Sequence, residues 1–219
     1  MDTVKIASFN ILAPCWANPK YYCLSGRESP LLFPSEDRIA RTLQYIDKNI
    51  PNADIFCFEE VDSTVLPQLR AHCEALGFFF FTAFHDLAYW ADWTHAFSPL
   101  VPNGNSIAIN KNKFEVIKTV DLSLGSTGNH GAAVIARIIS LKSTSRVFRI
   151  VAVHFELDSL ESRTAEIKSV MKFLKETDGE YPEAIDVIAG DYNTELDTPE
   201  ARRSFPFLLD RGVAFYLIL

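Results

Sequence analysis

The sequence lacks any apolar run approaching the roughly 20 residues that a membrane-spanning helix needs, so it predicts no membrane span. It also lacks a basic segment followed by an apolar one near residue 1, and we therefore expect no signal peptide. Its 4 cysteines are too few for a disulfide scaffold, and they lack the paired spacing of a zinc site. These absences favour a cytoplasmic protein, with the nucleus as the alternative location.

An excess of positive charge is absent as well. The 21 Lys and Arg residues are outnumbered by 28 Asp and Glu residues, which gives a net charge of −7. Proteins that only coat nucleic-acid backbones are usually basic, so this class of function is disfavoured. An enzyme that holds a cation between carboxylates stays compatible with the charge, because the cation supplies local positive charge.

The residues that are present indicate a single globular domain. Hydrophobic residues make up 48% of the chain and charged residues 22%, which is a typical globular balance, and 17 Phe residues indicate a well-filled core. The sequence contains no linker, repeat or low-complexity segment. We therefore predict one domain over residues 1–219.

The order of apolar segments predicts an α/β fold. Ser35, Ser63 and Ser159 are expected to cap helices that end near residues 49, 75 and 176. Long loops are predicted at 13–34 and 85–103. Because helices separate only some of the strands, we expect two mixed sheets packed face to face and flanked by helices. The predicted strands are 4–12, 54–60, 77–84, 105–110, 114–121, 131–142, 146–155 and 184–190.

Polar side chains stand at the ends of four of these strands. Asn10, Glu60, His154 and Asp191 each follow or interrupt an apolar run, and Asn193 comes two residues after Asp191. A buried polar group without a partner is costly, so each of these needs one. Either local backbone groups satisfy them, as an Asp-x-Asn turn would, or the four strand ends converge on one hydrated cation and one phosphate.

These motifs resemble those of the endonuclease/exonuclease/phosphatase superfamily, a group of DNase I-like, metal-dependent phosphoesterases. The resemblance implies a four-layer α/β sandwich and hydrolysis of phosphoesters. The pieces occur in the order of that superfamily and span most of the chain. They are Ser8-Phe9-Asn10-Ile11-Leu12, Cys57-Phe58-Glu59-Glu60-Val61, Gly104-Asn105-Ser106-Ile107-Ala108-Ile109, Val153-His154-Phe155 and Gly190-Asp191-Tyr192-Asn193.

The resemblance also implies roles for the strand-end residues. Glu60 corresponds to the direct ligand of Mg²⁺, with Mn²⁺ as the alternative cation, and Asn10 lies beside it as ligand or water-holder. Asp191 is the candidate general base that holds or deprotonates the attacking water. Asn193 and His154 are expected to donate hydrogen bonds to the phosphate, although His154 also fits a buried structural histidine.

Four further residues are candidates for the substrate site. Asn105 stands where the superfamily presents an Asp or Asn to the phosphate, or it is a turn residue. Asn129 is a second candidate contact, just before a predicted strand. Trp90 and Trp93, in the long loop, would stack on a base or on a lipid headgroup, or they cover the core.

The chain departs from the superfamily pattern at two places. Glu59 stands where Gln usually precedes the metal-binding Glu, which adds negative charge and is expected to raise a carboxyl pKa by repulsion. The Ser-Asp-His motif that usually follows the last strand is absent, since no histidine follows His154. We therefore expect an incomplete C-terminal strand region, with the apolar run at 213–219 as a strand cut short.

The motifs favour a Mg²⁺-dependent phosphodiester hydrolase acting on nucleic acid, preferably RNA. The opening motif, and Val153-His154-Phe155 followed by Arg163, are most similar to deadenylase-like 3′ exonucleases. Arg163 and Glu166 are interpreted as a structural pair on a helix. A small phosphoester, such as an inositol phosphate or sphingomyelin, is the alternative substrate. The alternative function is a catalytically impaired or incomplete relative that binds metal and phosphate without efficient turnover.

Overall fold

The computed structural model describes residues 3–13, 36–85, 101–124, 132–157, 159–180 and 182–193. A short 3₁₀ helix at Asp178–Glu180 follows the α-helix Leu160–Glu176. The described helices are α1 (Glu36–Asn49), α2 (Leu66–Ala75) and α3 (Leu160–Glu176). The described strands are β1 (Ile6–Asn10), β2 (Ile55–Asp62), β3 (Phe78–Phe84), β4 (Asn103–Asn110), β5 (Phe114–Ser123), β6 (Ala132–Ser140), β7 (Ser143–His154) and β8 (Ile185–Asp191).

Two mixed sheets form the centre of the described structure. The first has the strand order β1-β2-β4-β3 and the second β5-β6-β7-β8. β1 pairs with β2 in parallel and β7 pairs with β8 in parallel, whereas the other neighbours are antiparallel. The prediction of two mixed sheets is confirmed.

Successive strand residues point to opposite faces of a sheet, and in these sheets the residues on both faces are largely apolar. The inner faces therefore pack against each other, and the outer faces are covered by helices. Ile55 and Cys57 of β2 are fully buried between the sheets, against residues such as Ile150 of β7. Phe56 and Phe58 of β2 point to the outer face, where α1 and α2 cover them. On the outer face of the second sheet, buried side chains of β7 and β8 pack against α3. The described elements therefore form helix, sheet, sheet and helix layers, as predicted.

Two local predictions need correction. α2 begins at Leu66, and the predicted N-cap Ser63 is wrong. Asp62 instead holds the turn before the helix, because its Oδ1 atom accepts from the backbone N–H groups of Thr64 and Val65 at 2.8 and 3.1 Å. β4 begins at Asn103, two residues earlier than predicted. Its pairing with β3 extends to Gly104, where a Cβ would lie 2.0 Å from the carbonyl oxygen of Ala83.

Other features of the helices agree with the sequence. The Ser159 side chain accepts a hydrogen bond from Ser162 N–H at 3.1 Å, which confirms it as the N-cap of α3. The predicted cap Ser35, most of the predicted loops, and the terminal run at 213–219 lie outside the described residues. No helix in the described ranges is long and apolar enough to cross a membrane.

Candidate active site

Four strand ends meet at one end of the sandwich. Asn10 is the last residue of β1, His154 of β7 and Asp191 of β8, and Glu60 lies near the end of β2. β1 and β2 run in parallel, as do β7 and β8, and β1 contacts β8 across the two sheets. The polar groups at these strand ends are therefore brought together, which is the second of the two arrangements that the sequence left open.

Asn10 lies between the two carboxylates. Its Nδ2 atom donates to Glu60 Oε1 at 2.8 Å and to Asp191 Oδ2 at 3.1 Å. His154 Nε2 lies 4.0 Å from each of the same two carboxylate oxygens. One amide and one imidazole thus span the gap between Glu60 and Asp191, which are 131 positions apart in the chain by their residue numbers.

Asn193 completes the cluster from the segment after β8. Its Nδ2 atom lies 3.0 Å from His154 Nε2 and donates to the carbonyl oxygen of Phe155 at 2.6 Å. Its backbone N–H donates to Asp191 Oδ1 at 2.9 Å. Asn193 has a φ of +47°, and asparagine adopts this left-handed region more readily than most residues. Asn193 therefore orients both His154 and Asp191.

A bulge in β2 sets the direction of Glu60. The register between β2 and β4 shifts between Phe58 and Val61, and Glu60 has a φ of +59°. Glu59 is buried between the sheets, whereas Glu60 is half-buried at the strand ends. Bulges and left-handed non-glycine residues concentrate at functional sites, where the surrounding structure holds them in place.

Glu59 differs from Glu60 in its electrostatics. Burial raises the pKa of Glu59 well above its usual range, and the negative charges of Asp191 and Glu60 raise it further. The hydrogen bond that Ser8 Oγ donates to Glu59 Oε1 at 2.7 Å acts in the opposite direction. The sequence predicted a raised carboxyl pKa from repulsion between like charges, but desolvation is the larger cause.

Gly190 lets β8 approach β7 directly before Asp191. It pairs with Val153 and has a φ of +149°. A Cβ on Gly190 would lie 1.8 Å from the carbonyl oxygen of Val153, so no side chain fits there. The next pair in the register is His154 and Asp191, and the close approach of the strands therefore sets the separation of these two site residues.

Asn105 lies apart from this cluster in the described hydrogen bonds. It is a residue of β4 with 0% exposure, which excludes the turn that the sequence offered as its alternative. Its Nδ2 atom donates to the carbonyl oxygen of Ala132 in β6 at 2.6 Å, while its Oδ1 atom has no hydrogen-bond partner among the described residues. The contact joins the two sheets, and the phosphate contact of Asn105 stays a prediction.

Three candidate residues cannot be compared with the structure. Asn129, Trp90 and Trp93 lie outside the described residues, so their roles in substrate binding stay predictions.

Arg163 and Glu166 of α3, interpreted from the sequence as a structural pair on the helix, both bond the backbone that precedes the helix. Arg163 donates to the carbonyl oxygens of Glu156 and Leu157 at 3.1 and 2.6 Å, and Glu166 Oε2 accepts from the Glu156 N–H at 2.9 Å. Both side chains therefore hold the connection that leaves the site after β7.

Sequence reasoning missed Arg38. This residue of α1 donates to the carbonyl oxygens of Ile11 and Leu12 at 2.8 and 2.6 Å, directly after Asn10. An arginine on a helix carries no signal in the sequence that it contacts a strand end 26 residues away, because only the packing of α1 brings them together.

The side chains present fit a magnesium ion. Glu60 and Asp191 are two carboxylates with no Lys or Arg ion pair in the described part of the chain. Asn10 Nδ2 donates to both of them, and Asn10 Oδ1, the atom that could bind a cation, accepts from the Leu12 N–H. No cluster of three or more His, Cys, Asp and Glu side chains is arranged to hold a metal in that same part. Mg²⁺ commonly binds one or two carboxylates and keeps several waters, so this small donor set suits it better than zinc.

The two sheets and the polar strand ends define a DNase I-like α/β sandwich. Solved structures agree. ANGEL2, a 2′,3′-cyclic phosphatase, superposes with a TM-score of 0.73 at 15% identity, over 91% of this chain and 54% of that one. The human Nocturnin catalytic domain with bound sulfate superposes with a TM-score of 0.67 at 18% identity, over 91% of this chain and 67% of that one. An endonuclease/exonuclease/phosphatase from Bacteroides vulgatus superposes with a TM-score of 0.67 at 21% identity, over 97% of this chain and 73% of that one.

The chain therefore has the DNase I-like fold of these structures, which confirms the fold that the resemblance implied. It spans about half the length of the ANGEL2 chain. No family model and no curated protein match the sequence.

Proposed function

We propose that the protein is a Mg²⁺-dependent phosphodiester hydrolase that acts on nucleic acid, with the 3′ end of RNA as the favoured substrate. The observation that carries this proposal is the convergence of Glu60 and Asp191, with Asn10 bridging them and no Lys or Arg ion pair to either carboxylate among the described residues. Two adjacent carboxylates without a Lys or Arg partner among the described residues favour a bound cation.

Each residue has a chemical task in this proposal. Glu60 and Asn10 would hold the cation, which neutralises charge on the phosphate when it is bound. Asp191 accepts the proton of the attacking water, and the Asn193 N–H fixes one carboxylate oxygen of Asp191 for this task. His154 and Asn193, which already contact one another, would donate hydrogen bonds to phosphate oxygens.

The neighbouring folds favour nucleic acid as the substrate, and the charge of the chain is compatible with it if a cation is bound. The structure of ANGEL2 has been solved in complex with adenosine-2′,3′-vanadate. The structure of D. rerio TDP2, which superposes with a TM-score of 0.59, has been solved in complex with a single-strand DNA product. These are analogies at the level of the fold. A net charge of −7 disfavours binding through basic side chains alone, so a cation in the site would supply the attraction for phosphate.

The test compares turnover of defined substrates by the wild type and by Asp191→Asn. The substrates are bis-p-nitrophenyl phosphate, a 5′-labelled oligoadenylate with a 3′-hydroxyl end and the same oligomer with a 2′,3′-cyclic phosphate, each with Mg²⁺, Mn²⁺ or EDTA. We expect metal-dependent turnover that falls about 10²- to 10⁴-fold in Asp191→Asn, as loss of a general base usually causes. Asp121→Asn, at an exposed position of β5, is the matched control and should keep full activity.

Binding without turnover is the second candidate function. If wild-type protein with an intact fold binds the oligoadenylate in Mg²⁺ but leaves every substrate uncut, this second function replaces the first. Shortening of the oligomer with the 3′-hydroxyl end would indicate a 3′ exonuclease. Loss of the 2′,3′-cyclic phosphate without shortening would indicate a cyclic phosphatase.

A further inference from the structure

Two successive peptide groups follow Asn10, and both present their N–H groups to the candidate cation site. The Leu12 N–H donates to Asn10 Oδ1 at 2.8 Å, and the Ala13 N–H donates to Glu60 Oε2 at 3.0 Å. Leu12 has a φ of +52°, in the left-handed region, and its dihedral angles set the rotation between these two peptide planes. Backbone amides thus orient the two residues that the proposed function assigns to the cation.

The carbonyl oxygens of the same two peptide groups are held by one side chain. Arg38 donates from one terminal nitrogen to Ile11 O at 2.8 Å and from the other to Leu12 O at 2.6 Å. A trans peptide is planar, and its C=O and N–H point in opposite directions. No cis peptide occurs among the described residues. By fixing both oxygens, Arg38 therefore fixes the directions of the N–H groups that reach Asn10 and Glu60.

We propose that Arg38 is a positioning residue of the cation site. It contacts neither carboxylate in the described hydrogen bonds, and it acts through the peptide groups after Ile11 and Leu12. The planar fork of a guanidinium holds two acceptors at a fixed spacing, which a lysine ammonium does not reproduce. The expected effect on metal binding rests on the proposed function, whereas the expected effect on the two peptide groups does not.

The first measurement is Mn²⁺ affinity, followed through the EPR signal of free Mn²⁺ at neutral pH. It compares wild type, Arg38→Ala and Arg38→Lys with Arg41→Ala, an exposed arginine of the same helix. Loss of partners that orient metal ligands typically weakens binding about 10- to 100-fold, and we expect this for both Arg38 variants. Arg41→Ala should bind as the wild type does, and guanidinium ion should restore part of the affinity of Arg38→Ala.

The second measurement is amide hydrogen exchange at Leu12 and Ala13, followed by NMR without metal. Both amides should exchange faster in Arg38→Ala and Arg38→Lys, while amides in the core of β2 and β4 keep their protection. If Arg38→Ala does not fold, Arg38→Lys carries the comparison.

The outcomes separate the two proposals. A wild type that binds no Mn²⁺ would overturn the proposed function, and the exchange data would still decide the role of Arg38. A folded Arg38 variant with wild-type exchange at Leu12 and Ala13 would overturn the positioning role whatever the metal affinity. Faster exchange with unchanged Mn²⁺ affinity would also overturn it, because the peptide groups would then not control the site.

Discussion

Replacing Glu166 with glutamine should make the protein more stable at neutral pH. Glu166 has 4% exposure, and its carboxylate accepts the N–H of Glu156 at 2.9 Å. Burial raises the pKa of Glu166 from 4.5 to about 7, while the hydrogen bond from Glu156 and the charge of Arg163 oppose the rise. The folded protein therefore binds the Glu166 proton more tightly than the unfolded chain does.

The size of the effect follows from that pKa. Stability from this group is complete below about pH 4.5, falls as the pH rises to about 7, and is constant above it. The difference between 4.5 and about 7, at roughly 1.4 kcal/mol per pKa unit, corresponds to about 3 kcal/mol. Glutamine stays neutral and offers an amide oxygen to the same N–H, so Glu166→Gln avoids this loss.

The assay is urea unfolding of wild type and Glu166→Gln at pH 4, 5, 6, 7 and 8. The variant's free energy of unfolding, relative to the wild type, should rise by about 3 kcal/mol between pH 4 and pH 8. Glu161→Gln, at an exposed position of the same helix, should give nearly parallel curves. Parallel curves for Glu166→Gln would refute the reasoning, since they would mean that Glu166 titrates alike in the folded and unfolded chain.

Three further predictions concern the site itself. Glu59→Gln should also gain stability relative to the wild type as the pH rises above about 4.5, because burial raises the pKa of Glu59. The gain in urea unfolding should be at most about 1.4 kcal/mol per pH unit, and a difference that does not change with pH would contradict this. Gly190→Ala should lose at least ~3 kcal/mol in the same assay, since its Cβ would lie 1.8 Å from Val153 O, and a loss under ~1 kcal/mol would contradict the close approach. Mg²⁺ at 100 times its Kd should stabilise the wild type by about 2.7 kcal/mol, and Glu60→Gln much less; equal Tm shifts in the two proteins would exclude Glu60 as a ligand.

The amino-acid sequence by itself determined the strands and the polar residues at their ends. Apolar runs that stop at Asn10, Glu60, His154 and Asp191 are local patterns, because alternation and breaker residues act over a few positions. The Ser159 cap is equally local, since its partner Ser162 is three residues away. The sequence left open whether these strand ends converge, and the parallel pairs of β1 with β2 and of β7 with β8 decided that they do.

Tertiary structure alone decided what surrounds those residues. The raised pKa of Glu59 depends chiefly on its burial between two sheets, and the contacts of Arg38 join a helix to a strand end 26 and 27 residues away. The early start of β4 at Asn103 depends on pairing with β3, and the bonding of Asn105 depends on β6 in the other sheet. Desolvation and long-range hydrogen bonds arise only when distant segments pack together, so no local pattern in the sequence could predict them.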